Sequence, residues 1–251
     1  MRKIELIAEQ MRQLRITETS RAIEQLVMDA ESKDLSYQDF LASVVQYEID
    51  SRSRKQYLKR LKWAELPEYK RLSDYHLHEQ HTLSKRQLNQ LKELNWVEQA
   101  FNILLLGPPG VGKTLLGIGL VTEALEKGYK ACFVGMDDLL RLLKTQEITR
   151  TSRTRIKRIE ESNLVVIDDL MMIANDPIGA GLFFQLISRM HNQTSVVITS
   201  NKGPDEWSQL IGDPALTTAI LDRLLHRCEV IYFNDEGSYR MRNRKTIFGE
   251  N

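Results

Sequence analysis

A glycine-rich segment near the middle of the chain reads Gly107-Pro108-Pro109-Gly110-Val111-Gly112-Lys113-Thr114. It fits the pattern G-x-x-x-x-G-K-[ST] of a phosphate-binding loop, with the apolar run before it and the helical pattern after it that this motif requires. Its glycines allow backbone N–H groups to turn inward around a phosphate, and the positive end of the following helix dipole adds to the attraction. The alternative interpretation is a glycine-proline turn with a surface lysine.

This segment predicts a binding site for ATP and Mg²⁺. We expect Lys113 to neutralise charge on the β- and γ-phosphates, and the Thr114 hydroxyl to be a ligand of Mg²⁺. The remaining residues of 107–114 and the following residue, Leu115, are expected to contact the nucleotide.

A pair of acids follows the apolar run at residues 164–167. Ligands bind at the carboxyl ends of strands in open α/β sheets, which is where Asp168 and Asp169 are expected. We expect Asp168 to hold Mg²⁺ and Asp169 to polarise the attacking water. Many ATPases carry a glutamate at the second position, so the shorter Asp169 predicts slow hydrolysis. The alternative is a strand-end turn with two solvated acids.

Two further side chains are expected to act on ATP. Asn201 follows the apolar run 195–199, and from a strand end it can reach the γ-phosphate and hydrogen-bond the attacking water. Arg223 lies on a predicted helix from which it cannot easily reach its own nucleotide. We expect it to act as an arginine finger on the nucleotide of a neighbouring subunit, with Arg227 in reserve. A surface salt bridge is the alternative for both arginines.

Five short apolar runs alternate with helical patterns after residue 95, which predicts an α/β domain around a mostly parallel sheet. The runs cover residues 101–106, 131–134, 164–167, 195–199 and 230–233. The first 95 residues contain no glycine and a single proline, Pro67, and they carry 17 basic and 15 acidic residues. That composition predicts helices. We therefore expect a small helical domain at 1–66 and an ATPase domain at 67–251 that includes a connector at 67–95.

The longest N-terminal helix is predicted to begin at Ser36, with Asp39 in a capping box, and to run to about residue 63 before Pro67. Its apolar residues are expected on one side and are Phe40, Leu41, Val44, Val45 and Ile49.

A dense basic run on this helix is the first candidate for DNA contact. It holds six positive charges and no acid, on Arg52, Arg54, Lys55, Lys59, Arg60 and Lys62. At helical spacing the six spread around much of the helix, which suits contact with phosphates better than base reading. The alternative is a solvated helix end, where basic residues favour the dipole.

Overall composition excludes several other classes. The net charge of +1 gives no global preference for nucleic acid. Two separated cysteines, Cys132 and Cys228, argue against a disulfide scaffold or a cysteine-based zinc site. No apolar stretch reaches the roughly 18 residues of a spanning helix, so we expect a cytoplasmic protein without membrane contact. His76, His78 and His81 lack a completing ligand at a recognisable spacing, which favours a connector surface over a metal site.

The order of the motifs resembles that of the AAA+ ATPases, in the clade of replication initiators and helicase loaders, and within it the IstB family. The shared features are the Gly-Pro-Pro-Gly loop, the Asp-Asp strand, the Thr-Ser-Asn strand end and the helix with Asp222-Arg223-Leu224, together with Trp96 and Ser238-Tyr239-Arg240. The resemblance implies a sheet of order 5-1-4-3-2 and a homo-oligomeric ATPase that binds double-stranded DNA and works with a transposase.

The same resemblance bears on two further regions. Typical AAA+ members carry a C-terminal helical lid with a second sensor arginine, but only about 18 residues follow the last apolar run, so no lid is expected. Arg240 or Arg242 could take the place of the second sensor arginine. In the initiator clade an insertion between the second and third strands touches DNA, which implies a similar role for Arg150, Arg153, Arg155, Lys157 and Arg158. A flexible polar loop is the alternative.

The leading hypothesis is an ATP-dependent helper of DNA transposition that oligomerises on target DNA and recruits or activates a transposase. A DnaC-like replicative helicase loader is the alternative, and the basic run at 52–62 favours the first because it suits direct contact with duplex DNA. A nucleotide-gated scaffold with vestigial hydrolysis is the third possibility, which the short Asp169 keeps open.

Overall fold

Five parallel strands form the sheet of this computed structural model, which describes residues 2–75, 82–174 and 176–233. The strands are β1 (Asn102–Leu106), β2 (Ala131–Gly135), β3 (Leu164–Asp168), β4 (Ser195–Ser200) and β5 (Cys228–Tyr232). They lie in the order β2-β3-β4-β1-β5, and each neighbouring pair is parallel. This confirms the α/β class and the expected order 5-1-4-3-2.

The register brings the carboxyl ends of the strands to one edge of the sheet. Asp168, the last residue of β3, is paired with Gly135 of β2, and Leu106 of β1 is paired with Ser200 of β4. The segments that follow β1, β3 and β4 therefore start side by side.

Helices cover both faces of the sheet, which is why its strands are apolar on both sides. One face packs on α6 (Lys113–Glu126), so closely that a Cβ at Gly117 would lie 2.9 Å from a methyl of Val166. Alternate strand residues, such as Val165 and Ile167, join the core of the other face. The helices of that core are α7 (Met136–Thr145), α8 (Arg150–Glu160), α9 (Pro177–Met190), α10 (Trp207–Ile211) and α11 (Pro214–Leu225). Two short helices, α4 (Lys85–Glu93) and α5 (Asn95–Glu98), precede β1.

The chain divides into two compact units, Met1–Lys59 and Arg60–Asn251. The first unit contains α1 (Lys3–Gln13), α2 (Thr17–Ser32) and most of α3 (Tyr37–Ala64). The division falls inside α3, whereas our predicted boundary at 66/67 lies after the helix. Helix α3 ends at Ala64, close to the predicted residue 63. The next residue, Glu65, adopts a left-handed conformation with φ of 51°.

The apolar side that we predicted for α3 is only partly buried. Val44 is buried, but Leu41, Val45 and Ile49 form an exposed row. The reason is that the buried row continues from Val44 to Glu48, a carboxylate with three hydrogen bonds, so polar contacts take the place that we assigned to apolar packing.

Several predictions fall outside the described residues. They concern His76, His78 and His81, the segment Ser238-Tyr239-Arg240 with Arg242, and the absence of a C-terminal lid. Among the helices that the structure describes, none is both long enough and apolar enough to cross a membrane.

Candidate nucleotide site

The phosphate loop joins β1 to α6, and its glycines adopt backbone conformations that other residues disfavour. Gly107, Gly110 and Gly112 have φ values of 143°, 84° and 97°. At Gly107 there is also no room for a side chain, because a Cβ would lie 2.5 Å from the carbonyl oxygen of Phe233. The glycine spacing of the motif therefore has a direct structural cause in this chain.

Lys113, the first residue of α6, points back into the loop and is 7% exposed. Its ammonium donates hydrogen bonds to the carbonyl oxygens of Gly107 and Pro108, at 2.5 and 2.7 Å, and to Asn201 Oδ1 at 2.9 Å. The structure thus brings together two residues that are far apart in sequence and that we predicted to act on the same phosphate.

Thr114 and Asp168 meet beside this lysine. The Thr114 hydroxyl lies 2.9 and 3.2 Å from the two carboxylate oxygens of Asp168, which ends β3. Hydroxyl and carboxylate oxygens are hard ligands of the kind that Mg²⁺ prefers, and nucleotide phosphates would supply the others. The donor set therefore fits the predicted metal.

Asp169 leaves the strand in a left-handed conformation, with φ of 58°. Its backbone N–H donates to the Thr199 hydroxyl at 2.9 Å, and the same hydroxyl lies 2.7 Å from Asp168 Oδ1. Sequence analysis missed Thr199. Strand periodicity was the available signal, because residues 199 and 201 point to the same face of β4 when the strand is extended.

A cavity of about 600 Å³ lies over the phosphate loop, within the usual size range of ligand sites. Asp168, Asp169 and Asn201 line it, and the loop contributes Pro109, Gly110, Gly112, Lys113, Thr114 and Leu115. The sequence did not predict the facing wall, which the connector supplies through Glu68, Lys70, Asp74 and Tyr75. Tyr75 is buried there, which raises the pKa of its hydroxyl.

The two arginines expected in the neighbouring subunit's site do not line this cavity. Arg223, on α11, lies over the ring of Phe184 at 4.5 Å and donates to the carbonyl oxygen of Ala219. Arg227 donates to the carbonyl oxygen of Gln99. Arg223 is therefore half-buried against α9 in the single chain.

The basic run at 52–62 is partly committed to contacts within the chain. Arg52 donates to Glu48 at 2.7 Å and to the carbonyl oxygen of Arg15 at 2.6 Å, and Lys55 forms an ion pair with Glu18. Arg60 is only half-exposed. Arg52, Arg54, Lys55, Lys59 and Lys62 are exposed, so five of the six side chains that we listed face solvent.

The second basic cluster lies on the regular helix α8, so the alternative of a flexible loop is wrong. Ile156 and Ile159 anchor this helix in the core. Arg155 forms an ion pair with Glu65, and the Arg158 guanidinium lies 4.6 Å above the Trp63 ring. The exposed members of the cluster are Arg150, Arg153 and Lys157.

Comparison with known proteins adds the family context. A family model described as IstB-like ATP binding protein matches residues 9–247. An ATP-binding protein of an IS21-like insertion sequence from Bacteroides fragilis is 40% identical over 242 residues, which cover 96% of this chain and 92% of that protein.

Solved structures give the fold. AMPPCP-bound DnaA from Aquifex aeolicus matches with a TM-score of 0.54 and 17% identity, over 69% of this chain and 52% of that one. A DnaC helicase loader matches with a TM-score of 0.51 and 22% identity, over 65% of this chain and 96% of that one. At these identities the two matches are evidence for a shared AAA+ fold alone.

Proposed function

Because the chain belongs to the family of IstB-like ATP binding proteins, we propose that it is an ATP-hydrolysing helper protein of DNA transposition. In this proposal it oligomerises on double-stranded target DNA and recruits or activates a transposase, in the cytoplasm. The observation that carries the ATPase part is the convergence of Lys113, Thr114, Asp168 and Asn201 in one cavity at the sheet edge.

Lys113 is the main phosphate-binding group in the proposed reaction. Its ammonium exchanges the Gly107 and Pro108 carbonyl oxygens for oxygens of the β- and γ-phosphates, which turns a contact inside the loop into a contact with ATP. Thr114 and Asp168 hold Mg²⁺, which neutralises phosphate charge when bound.

Hydrolysis then depends on Asp169 and Asn201. Asp169 accepts a hydrogen bond from the attacking water and orients it, and Asn201 donates to the γ-phosphate or to that water. The aspartate reaches less far than a glutamate, so hydrolysis is slow on its own. Arg223 supplies positive charge to the site of a neighbouring subunit, which makes the reaction depend on assembly.

DNA binding is assigned to the basic side chains that are exposed. These are Arg52, Arg54, Lys55, Lys59 and Lys62 on α3 and Arg150, Arg153 and Lys157 on α8. Contacts of this kind go to phosphates and are insensitive to base sequence, so DNA stimulates hydrolysis without a strong sequence preference. We leave Arg155 and Arg158 out of this assignment because they are only half-exposed, against Glu65 and Trp63.

The DNA surface can be tested by the salt dependence of binding. Each phosphate contact contributes about −0.9 to the slope of log affinity against log salt, so Arg54→Ala with Lys62→Ala should flatten the slope by about 2. Arg86→Ala, which removes an exposed positive charge from α4, should leave it unchanged. An unaltered slope in the double variant would remove these residues from the surface.

The function as a whole is tested by two measurements on the purified protein. ATP hydrolysis should rise when duplex DNA is added, and a transposase encoded with the same insertion element should co-purify with the protein in the presence of ATP and DNA. Capture of a replicative helicase instead of the transposase would favour the loader hypothesis. Nucleotide binding without hydrolysis, with or without DNA, would favour the scaffold.

A further inference from the structure

One buried hydroxyl links both acids of the nucleotide site to the neighbouring strand. Thr199 Oγ1 donates to Asp168 Oδ1 at 2.7 Å and accepts the backbone N–H of Asp169 at 2.9 Å. Thr199 is 2% exposed, so bulk water does not compete for either contact. A hydroxyl can donate one hydrogen bond and accept others, and this one is used in both directions.

The backbone of Asp169 makes this link more than a packing contact. Asp169 has a φ of 58°, a left-handed conformation that aspartate adopts more readily than most residues with side chains but that local hydrogen bonds still stabilise. The hydrogen bond from the Asp169 N–H to the Thr199 hydroxyl is one of them. It fixes the backbone of Asp169 and therefore the direction of its carboxylate relative to that of Asp168.

We propose that Thr199 is a positioning residue of the ATPase site, which sets the spacing of the metal-side acid and the water-side acid through its hydroxyl. The inference rests on the proposed ATPase function. Thr199 also lines the cavity, but in this scheme it acts on the reaction through the two acids. Its hydroxyl shares Asp168 Oδ1 with the Thr114 hydroxyl, which lies 2.9 Å from that oxygen, and so fixes the carboxylate of Asp168. Its second hydrogen bond, from the Asp169 N–H, holds the backbone turn from which Asp169 lines the cavity.

The hydroxyl and the shape of the side chain can be separated by substitution. Thr199→Val keeps the shape and removes the hydrogen bonds, and Thr199→Ser keeps the hydroxyl and removes the methyl group. Thr194→Val is the matched control, because Thr194 is similarly buried, lies just before the other end of β4, and donates its hydroxyl to the Ser162 carbonyl oxygen, away from both acids. Thr199→Ala replaces the valine variant if the latter does not fold, as judged by thermal melting.

The readout is the gain in affinity for a non-hydrolysable ATP analogue when Mg²⁺ is added, measured beside the hydrolysis rate. In Thr199→Val we expect this gain to fall at least fivefold, with affinity in the absence of Mg²⁺ within twofold of the parent. The value of kcat should fall at least tenfold. Thr199→Ser should restore both quantities to within about threefold, and Thr194→Val should change neither.

Two results would overturn the inference. One is an unchanged magnesium-dependent gain in the valine variant, or no such gain in the parent protein. The other is an equal loss in Thr199→Ser and Thr199→Val, which would assign the effect to packing of the methyl group. A parent protein that binds the analogue with Mg²⁺ but hydrolyses no ATP would contradict the proposed function instead, and the affinity measurement would still test Thr199.

Discussion

The two units of the chain are stabilised in different ways. In the described residues 2–59, the buried apolar side chains are Ile23 and Val44, whereas strands β1 to β4 of the second unit are largely apolar and almost wholly buried. A polar centre stands in for a core in the first unit, because buried Glu48 accepts two hydrogen bonds from Thr19 and one from Arg52.

This difference suggests a division of labour. A site that must hold Lys113 and Asp168 to fractions of an ångström benefits from a rigid sheet. The helical unit has little apolar core and an exposed apolar row on α3. Its stability therefore depends more on polar and charged contacts. The following four experiments test that contrast, beginning with the largest expected effect.

Matched leucine truncations probe the contrast in packing. Leu104→Ala, in fully buried β1, should cost about 2–5 kcal/mol of unfolding free energy through lost burial and a residual cavity. Leu41→Ala, at a side chain that is 63% exposed on α3, should change it by less than about 0.5 kcal/mol. Chemical denaturation followed by circular dichroism measures both. Equal losses would mean that α3 packs as tightly as the sheet.

Loss of the loop lysine should separate function from folding. Lys113→Ala should weaken ATP binding at least hundredfold, about 2.7 kcal/mol, and abolish ATP-dependent assembly, because it removes the phosphate-binding charge. The helical content should stay at the parental value. Titration with a fluorescent ATP analogue gives the affinity, with Lys130→Ala as the exposed-lysine control. Undiminished affinity would contradict the site assignment.

A substitution at Asp169, in the second unit, tests the proposed orientation of the attacking water. Asp169→Asn should slow hydrolysis at least tenfold, about 1.4 kcal/mol in barrier, while ATP binding and assembly on DNA persist. Asparagine tolerates the left-handed backbone of this position, so the loop should keep its shape. Single-turnover kinetics would measure the step, and a parental rate would exclude Asp169 from it.

Acid should loosen the first unit through Glu48. Burial raises the pKa of Glu48, but the hydrogen bonds from Thr19 and Arg52 outweigh it and hold that pKa below its ordinary value of 4.5. The stabilisation is therefore complete above pH 4.5 and is lost as pH falls below it.

Glu48→Gln should remove this acid sensitivity and cost about 1 kcal/mol at neutral pH. The amide resonance of Thr19, followed by NMR from pH 6 to pH 3, reports the change. A Thr19 resonance with the same pH dependence in both proteins would contradict the assignment.

Sequence reasoning predicted those parts of the molecule that depend on local pattern. The loop glycines, the five strands and the acids at the end of β3 each follow from short-range rules of conformation and burial. The strand order came from the family resemblance, since local patterns do not specify which strands pair.

Contacts between residues that are distant in sequence could not be predicted from local patterns. Arg155 and Arg158 looked like free positive charges until Glu65 and Trp63 were found beside them. The apolar residues of α3 looked one-sided because helical spacing alone cannot tell which row faces a neighbour. Thr199 was overlooked because its importance lies in what it touches across β3 and β4.

The strand order also has a consequence for synthesis of the protein. Among the strands that the structure describes, β1, which precedes the phosphate loop, pairs with β4 and β5 alone. A ribosome must therefore add residues 107–194 before the first partner of β1 begins to emerge. At roughly 5–20 residues per second, this takes on the order of ten seconds. For that time an apolar strand has both edges unpaired on the nascent chain, so it is the segment that a cellular chaperone would most usefully cover.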